Sequence, residues 1–541
     1  MSAHKLKLIS WILFSLACLL FIFLNCVFYV NVGALWRDEV SSLTVADMPT
    51  FFSTLANFEI AGAPSLFTAI LHFWIKIGTA ASDAWLRLFP LLISLGIAAA
   101  LVWRGIKFGR RPPLLALALL AFNPTVFYWG ASLRSYGLAV IFIVVLFSLL
   151  QKMLEEPSFK NAAFAAVAAI LVVQSSFQGV HLVAALCAAT AVAGIAAGKK
   201  LCALFALAAG AIAGLSLIPY ALALLKDGDW IATIEAQLME ISFWKVVHNS
   251  FGSAGSAMTH LWTLLITGVL IAPVLYMLSG QDAEKRRERF ATSLYAAGAI
   301  LLSALGQILF IWFVKIGPSP WRTIPLIALF AMAVEAASGA LGESRRAWVG
   351  RMAAACLIIS ICLPTIWSRA HVRLTNIDII AANIMHNERP GDFVVVVPYF
   401  CGISFDRYYA GKTPWMTLPP IPQGELAEYD KVIRRHMESP QKAIDPLIEK
   451  MTKTLRSGGR VWMVGGLPWI PEKDEQAPEL IPAPHPVYGW SIEGYLPDWH
   501  KNVGDLLRKH ADQIMQVIIP QKQKVMLHEN IPLALIEGWK P

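Results

Sequence analysis

Three adjacent ionisable residues, Arg37, Asp38 and Glu39, stand in "LWRDEVSSLTV", directly after a long apolar run that carries no charge. A carboxylate in such a position can take the proton from an attacking hydroxyl. A solvated helix cap or an ion pair with Arg37 explains the same acids without chemistry. Other polar residues recur at the ends of later apolar runs. Arg134 and Tyr136 lie in "WGASLRSYG"; Lys226, Asp227, Asp229, Lys245 and His248 lie in the loop 223–258; Lys315 and Arg322 lie in "VKIGPSPWRTIP". Arg and Lys neutralise a departing phosphate, and Arg does so with two parallel hydrogen bonds. Together these residue types would activate a hydroxyl and hold a phosphate. Each has a plainer reading as well: Arg134 as a headgroup anchor, His248 and His72 as packing or interfacial residues. No cluster has zinc-ligand spacing. A divalent cation held by Asp38 and Glu39 is the metal alternative.

The elements that must position these residues are written in the composition. The chain has 541 residues, 57% hydrophobic and 15% charged, with a mean hydropathy of +0.57. Its apolar residues come in runs of about 20, the length a helix needs to cross a bilayer. Spans are expected at 8–32, 84–103, 113–129, 135–151, 160–177, 181–198, 201–222, 259–279, 293–314, 322–341 and 348–367. Helices are required, because an open chain cannot leave backbone groups unpaired in lipid. The first run is too long for a signal peptide and has no small-residue cleavage site after it, so it reads as an uncleaved anchor. The net charge of +9 does not indicate nucleic acid here, because the basic residues fall mainly in short loops between spans. With the N-terminus inside, "RGIKFGRR", "DAEKRRER" and the other inner loops outweigh the outer ones in Lys and Arg by roughly two to one, which fits the positive-inside bias. The segment 61–78 is then a helix at the outer interface, with Phe67, Phe73 and Trp74 near headgroup level, inside a long first outer loop, 33–83.

The composition changes near residue 368. "RPGDFVVVVPYF" and "LRSGGRVWMVGG" each read as a turn feeding a buried strand; "AEYDKVIRRHM" and "QKAIDPLIEKMTKTL" have helical periodicity; "LPDWHKNVGDLLRKHADQIMQVIIP" adds a helix and a strand. The expected plan is therefore a polytopic α-helical membrane module of about 11 transmembrane helices, residues 1–367, followed by a soluble α/β domain outside the cytoplasm, residues 368–541. Cys401 is the tail's lone cysteine, so no internal disulfide is expected there.

In this order and topology the chain resembles the GT-C glycosyltransferases, specifically the bacterial relatives of protein O-mannosyltransferases and of the aminoarabinose transferase that modifies lipid A. The resemblance runs over about 35–325. It rests on "LWRDEVSS" as a first-loop acidic motif, "GAPSLFTAILHFW" as a Pro-containing interface helix, "LRLFPLLISLGIAAALVWRGIKFGRR" as a span with its basic turn, "ALLAFNPTVFYWGASLRSYGLAV" as the Asn-Pro span before Arg-x-Tyr, "SPWRTIPLIAL" as the outer Arg before a Pro-containing span, and "SFDRYYAG" as a Tyr-rich tail segment. Gly62 and Ala63 replace the His often found before the interface Pro, and Thr323 stands where Tyr is common.

The resemblance implies a bacterial inner-membrane enzyme that moves a sugar from a polyprenyl-phosphate donor to an extracytoplasmic acceptor, with inversion. It implies Asp38 as general base with Glu39 beside it, and Arg134 and Arg322 on the donor phosphate, joined by Lys245 and Lys315. Tyr136, His248 and Arg37 are the remaining candidates for substrate binding. The sequence establishes no cofactor; a divalent cation is the candidate. Membrane lipids are expected neighbours. A transporter or flippase for a lipid-linked substrate is the competing reading. Against it stand the lack of an internal repeat and the scarcity of charged residues within the spans, where Glu335 is the main one.

Overall fold

The structure is a computed structural model that describes residues 3–108, 111–226, 243–279, 283–314, 319–342, 344–472 and 475–541. The chain is a multi-pass membrane protein. Eight helices among the described residues are long and apolar enough to cross a bilayer by length and composition: Lys5–Asn31, Asp83–Lys107, Tyr136–Glu155, Gly179–Ala196, Ser256–Met277, Ala283–Phe313, Pro320–Ala340 and Arg345–Ala370. Of the eleven expected spans, the other three coincide with shorter helices. Phe159–Ser175 and Lys200–Leu215 are apolar but fall just below that length. The expected span 113–129 is two helices, Leu114–Ala121 and Pro124–Gly130. The break follows from sequence. Pro124 cannot donate within a helix but suits its first position, and the Asn123 side chain caps the new start by accepting from the N–H groups of Thr125 (2.8 Å) and Val126 (3.2 Å).

By contacts the chain divides into two compact units. The described parts of the first are residues 3–30, 46–226 and 243–370; those of the second are 31–45 and 371–541. The acidic motif therefore groups with the tail, whereas the rest of the first loop groups with the helices.

Within the helical unit, Leu114–Ala121 is buried on every side. Its first N–H groups would be orphaned there. Glu335 supplies the acceptor: its Oε2 takes the N–H groups of Leu115 (3.0 Å) and Ala116 (3.1 Å), and its Oε1 pairs with Arg351. Nearby, Arg111 donates to the carbonyls of Gly339 and Gly342. The one prominent acid within the spans is thus a structural cap.

The helix Leu66–Ile77, expected at the interface, buries Phe67, Leu71 and His72 and exposes Phe73 and Ile77. Phe67 does not belong to the exposed aromatic set. It packs on Phe89, because it lies on the face turned toward the helices. Trp74 stacks on Trp85 at 4.4 Å, and each indole donates to the other's backbone carbonyl at 3.2 Å. His72 Nδ1 lies 2.7 Å from the Ala46 carbonyl, consistent with its packing reading.

The tail unit is built on a five-stranded mixed sheet, order β2-β1-β3-β5-β4. β1 (Phe393–Val396) pairs in parallel with β2 (Trp415–Thr417) and with β3 (Val461–Val464), Phe393 opposite Val461; β5 (Leu533–Trp539) runs antiparallel between β3 and β4 (Ala511–Val517). β1 and β3 are buried along their whole length, which explains their uninterrupted apolar runs. Asp392 ties their starts together. Its carboxylate accepts from the Arg460 backbone and guanidinium and from Trp462 Nε1, and these donors hold its pKa below the ordinary range against the opposing effect of burial.

Candidate functional site

The acidic motif is held by the tail at almost every residue from 31 to 37. Asn31 Oδ1 accepts from Gln523 (2.6 Å), and the Val32 carbonyl accepts from the Leu374 N–H (3.0 Å). Gly33 turns the chain with φ +71°, and a Cβ there would lie 2.8 Å from Arg373 Nε, so only glycine fits. The Leu35 N–H donates to Tyr408 Oη at 2.7 Å, which gives the Tyr-rich segment a role in anchoring the motif. Leu35 and Trp36 are buried almost completely. Each such side chain contributes roughly 1.5–3 kcal/mol of apolar burial.

The helix α2 (Arg37–Ala46) then begins, and its three charged residues separate into three roles. Glu39 is fully buried, and its Oε2 accepts the Trp36 N–H at 3.2 Å. This is the reach-back half of a capping box, made by the residue at the third helical position. Arg37 is turned into the tail: its backbone N–H donates to Glu529 Oε1 at 3.0 Å, and its guanidinium lies 4.0 Å over the Phe400 ring. Its Nε is 3.4 Å from Asp38 Oδ1 and 3.9 Å from Glu529 Oε1. Burial opposes the Arg37 charge, but Asp38, Tyr429, Cys401 and Glu529 together hold its pKa above the ordinary value. Asp38, with 24% of its side chain exposed, is the carboxylate of the motif that reaches solvent. It sits in the first turn of α2, where the helix dipole favours its negative charge.

Glu529 is the residue sequence reasoning missed. It closes the short 3-10 turn Leu527–Glu529, is 2% exposed, and its Oε2 has no hydrogen bond of ordinary geometry among the described residues, although the Thr375 hydroxyl is near. Burial pushes its carboxyl up to about 7, against the opposing N–H and charge of Arg37.

Arg134, Arg322 and Lys245 lie on neighbouring elements of the helical unit. Arg134 follows the helix Pro124–Gly130; its guanidinium lies 5.8 Å over Tyr136 and within 4 Å of where a Gly62 Cβ would stand. Arg322 lies in the 3-10 turn Pro320–Thr323. The two turns meet through Trp129 and Trp321, 4.8 Å apart. The helix Phe243–Phe251, carrying Lys245 and His248, packs on that same turn, and His248 Nδ1 lies 3.2 Å from the Thr259 hydroxyl. Arg369, not singled out from sequence, donates to the Pro124 carbonyl at 2.7 Å and lies 5.9 Å over Tyr128. Lys315, Asp227 and Asp229 lie outside the described residues.

Glu39 Oε2 accepts the Trp36 N–H, and among the described residues no group of three His, Cys, Asp or Glu side chains is placed to hold a metal ion.

No protein-family model matches the chain, and no curated protein sequence does. Solved structures similar to it include ArnT from Cupriavidus metallidurans bound to undecaprenyl phosphate, at 13% identity and a TM-score of 0.40 over 84% of this chain and 92% of that one. The apo state of ArnT gives 12% and 0.41 over 97% of each chain. The arabinosyltransferase EmbB from Mycobacterium smegmatis (15%, 0.37) is covered over 30% of its length by 60% of this chain. The mycobacterial arabinofuranosyltransferase AftD (14%, 0.40) is covered over 40% of its length by 99% of this chain.

Proposed function

We propose that the chain is a membrane glycosyltransferase that moves a sugar from a polyprenyl-phosphate carrier to a hydroxyl on an acceptor outside the cytoplasm. The observation that carries the reading is the division of labour in α2: Glu39 is buried and caps the helix start, Arg37 lies between Asp38 and Glu529, and Asp38 is the acid that reaches solvent. The acceptor oxygen bonds to the anomeric carbon as the carbon–oxygen bond to phosphate breaks, with inversion. Asp38 takes the acceptor's proton. The polyprenyl phosphate leaves as an anion, its charge met by Arg134 and Arg322, so no separate acid is needed. Lys245, Tyr136 and His248 belong to elements near those arginines and would contact the donor headgroup. In this reading residues 368–541 lie outside the cytoplasm, the N-terminus inside, and the membrane is a bacterial inner membrane.

Mass spectrometry of surface glycans, lipids and glycoproteins from a deletion strain tests the class of reaction. Loss of one sugar, restored by the intact gene, is the expected result. An unchanged set of glycans with a lipid-linked sugar accumulating on the inner leaflet would replace the enzyme with a flippase.

A further inference from the structure

We propose that Glu529 is a positioning residue for the Asp38 base, sharing the Arg37 guanidinium with it. The proposal rests on the reading of Asp38 given above. Its geometry lies wholly within the tail unit. Arg37 has two carboxylates within reach, Asp38 Oδ1 at 3.4 Å and Glu529 Oε1 at 3.9 Å, and its backbone N–H is already on Glu529 at 3.0 Å. The Phe400 ring lies 4.0 Å from the guanidinium. A guanidinium given wholly to Asp38 would hold its carboxylate oxygens in an ion pair and leave them less available to an acceptor proton. A second carboxylate sharing the cation limits that loss.

Glu529 is ill suited to be a mere tie. A structural carboxylate in a buried turn is normally satisfied at both oxygens, whereas Oε2 here lacks a well-formed partner. The titratable groups facing it are Arg37 and Asp38 from α2 and Cys401 from the turn Tyr399–Cys401; its chain neighbour His528 is exposed. Burial raises the Glu529 carboxyl to about 7, so it loses its charge as pH falls through neutrality. Below that point Arg37 is left to Asp38 alone. Transfer should then fall on the acid side with a limb near pH 7.

The test uses the full chain in membranes, with a total lipid extract of the source cells supplying donor and acceptor, and release of free polyprenyl phosphate as the readout. Glu529→Gln should lower kcat about tenfold, since a carboxylate held by Arg37 takes the acceptor's proton more slowly. The KM for donor should stay within about twofold, because Glu529 touches no donor group in this scheme. The limb near pH 7 should disappear. The same variant should melt higher than the parent at pH 8, where an ionised buried carboxylate is costly. A wild-type rate with its limb intact overturns the proposal, and so does a lower melting temperature at pH 8, which would make Glu529 a structural tie. Asp38→Asn is assayed in parallel. If it transfers sugar at the wild-type rate, the base reading falls and this proposal with it; if it is inactive while Glu529→Gln is unaffected, only the positioning role is lost.

Discussion

Two buried glutamates, one in each unit, occupy opposite ends of the scale of satisfaction. Glu335 in the helical unit has every need met: two backbone N–H groups on one oxygen and the Arg351 guanidinium on the other. Glu529 in the tail has, among the described residues, one well-made bond, a guanidinium at the edge of pairing distance, and an oxygen with only the Thr375 hydroxyl near it. Both are almost fully enclosed, and their burial alone does not distinguish them. The difference lies in what each carboxylate is asked to complete. Glu335 completes a helix start that would otherwise be orphaned in an apolar surrounding. Glu529 takes one helix-start donor, the Arg37 N–H, and shares the Arg37 side chain with Asp38, the acid proposed as the base. An acid within an apolar span is by default a suspect for function; Glu335 there is a helix cap paired with Arg351.

The same isosteric change should expose that contrast. Glu335→Gln leaves Arg351 buried without its counter-charge, and a broken buried pair costs about 3–5 kcal/mol. Its melting temperature in detergent should drop sharply, with little folded protein recovered. A variant as stable as the parent would mean that Glu335 is not the cap described. Glu529→Gln should move the other way. Its folded-state pKa of about 7 lies above the unfolded value, so the folded chain binds the extra proton between the two and loses stability as pH rises through that window. Removing the group should therefore stabilise the chain at pH 8 by up to roughly 3 kcal/mol, since each tenfold change in proton affinity between the folded and unfolded chain is worth about 1.4 kcal/mol. The gain should shrink toward pH 5, and a gain independent of pH would point to packing instead. Arg134→Ala should have the smallest effect of the three. Losing one charge-assisted contact to a phosphate is worth about 1.5–3 kcal/mol, seen as at least a tenfold weaker donor KM with the fold unchanged. Unchanged donor saturation would remove Arg134 from the phosphate site.

What was legible in the sequence was whatever depends on near neighbours. Apolar run length marked the helices, and the turn-plus-apolar pattern marked β1 and β3, because fully buried parallel strands need uninterrupted runs. The break at Asn123–Pro124 was also legible, since a capping side chain before Pro is a local start signal, but the surrounding run of leucine and alanine hid it. Glu39 offered a signal too: it lies three residues after Trp36, at capping-box spacing, though with no Ser or Thr at the cap position. Glu529 offered almost none. Its partner Arg37 is 492 residues away in the chain, and an acid in "LHEN" reads as a solvated turn. Only the apolar residues flanking it, in "VMLHENIPLALI", hint that the turn is buried. The grouping of residues 31–45 with the tail is illegible for the same reason. It depends on Tyr408, Gln523 and Leu374, none of which is near in sequence.

The central claim is that Asp38 takes the acceptor's proton. It is tested most directly by Asp38→Asn in the full chain, reconstituted in membranes and assayed for polyprenyl-phosphate release. Asparagine keeps the size of the side chain and its place in the first turn of α2 but cannot accept a proton. The account predicts at least a hundredfold loss of kcat, roughly the lower end of what a positioned base supplies, with donor KM and melting temperature unchanged. Release at the wild-type rate would contradict it and remove Asp38 as the base.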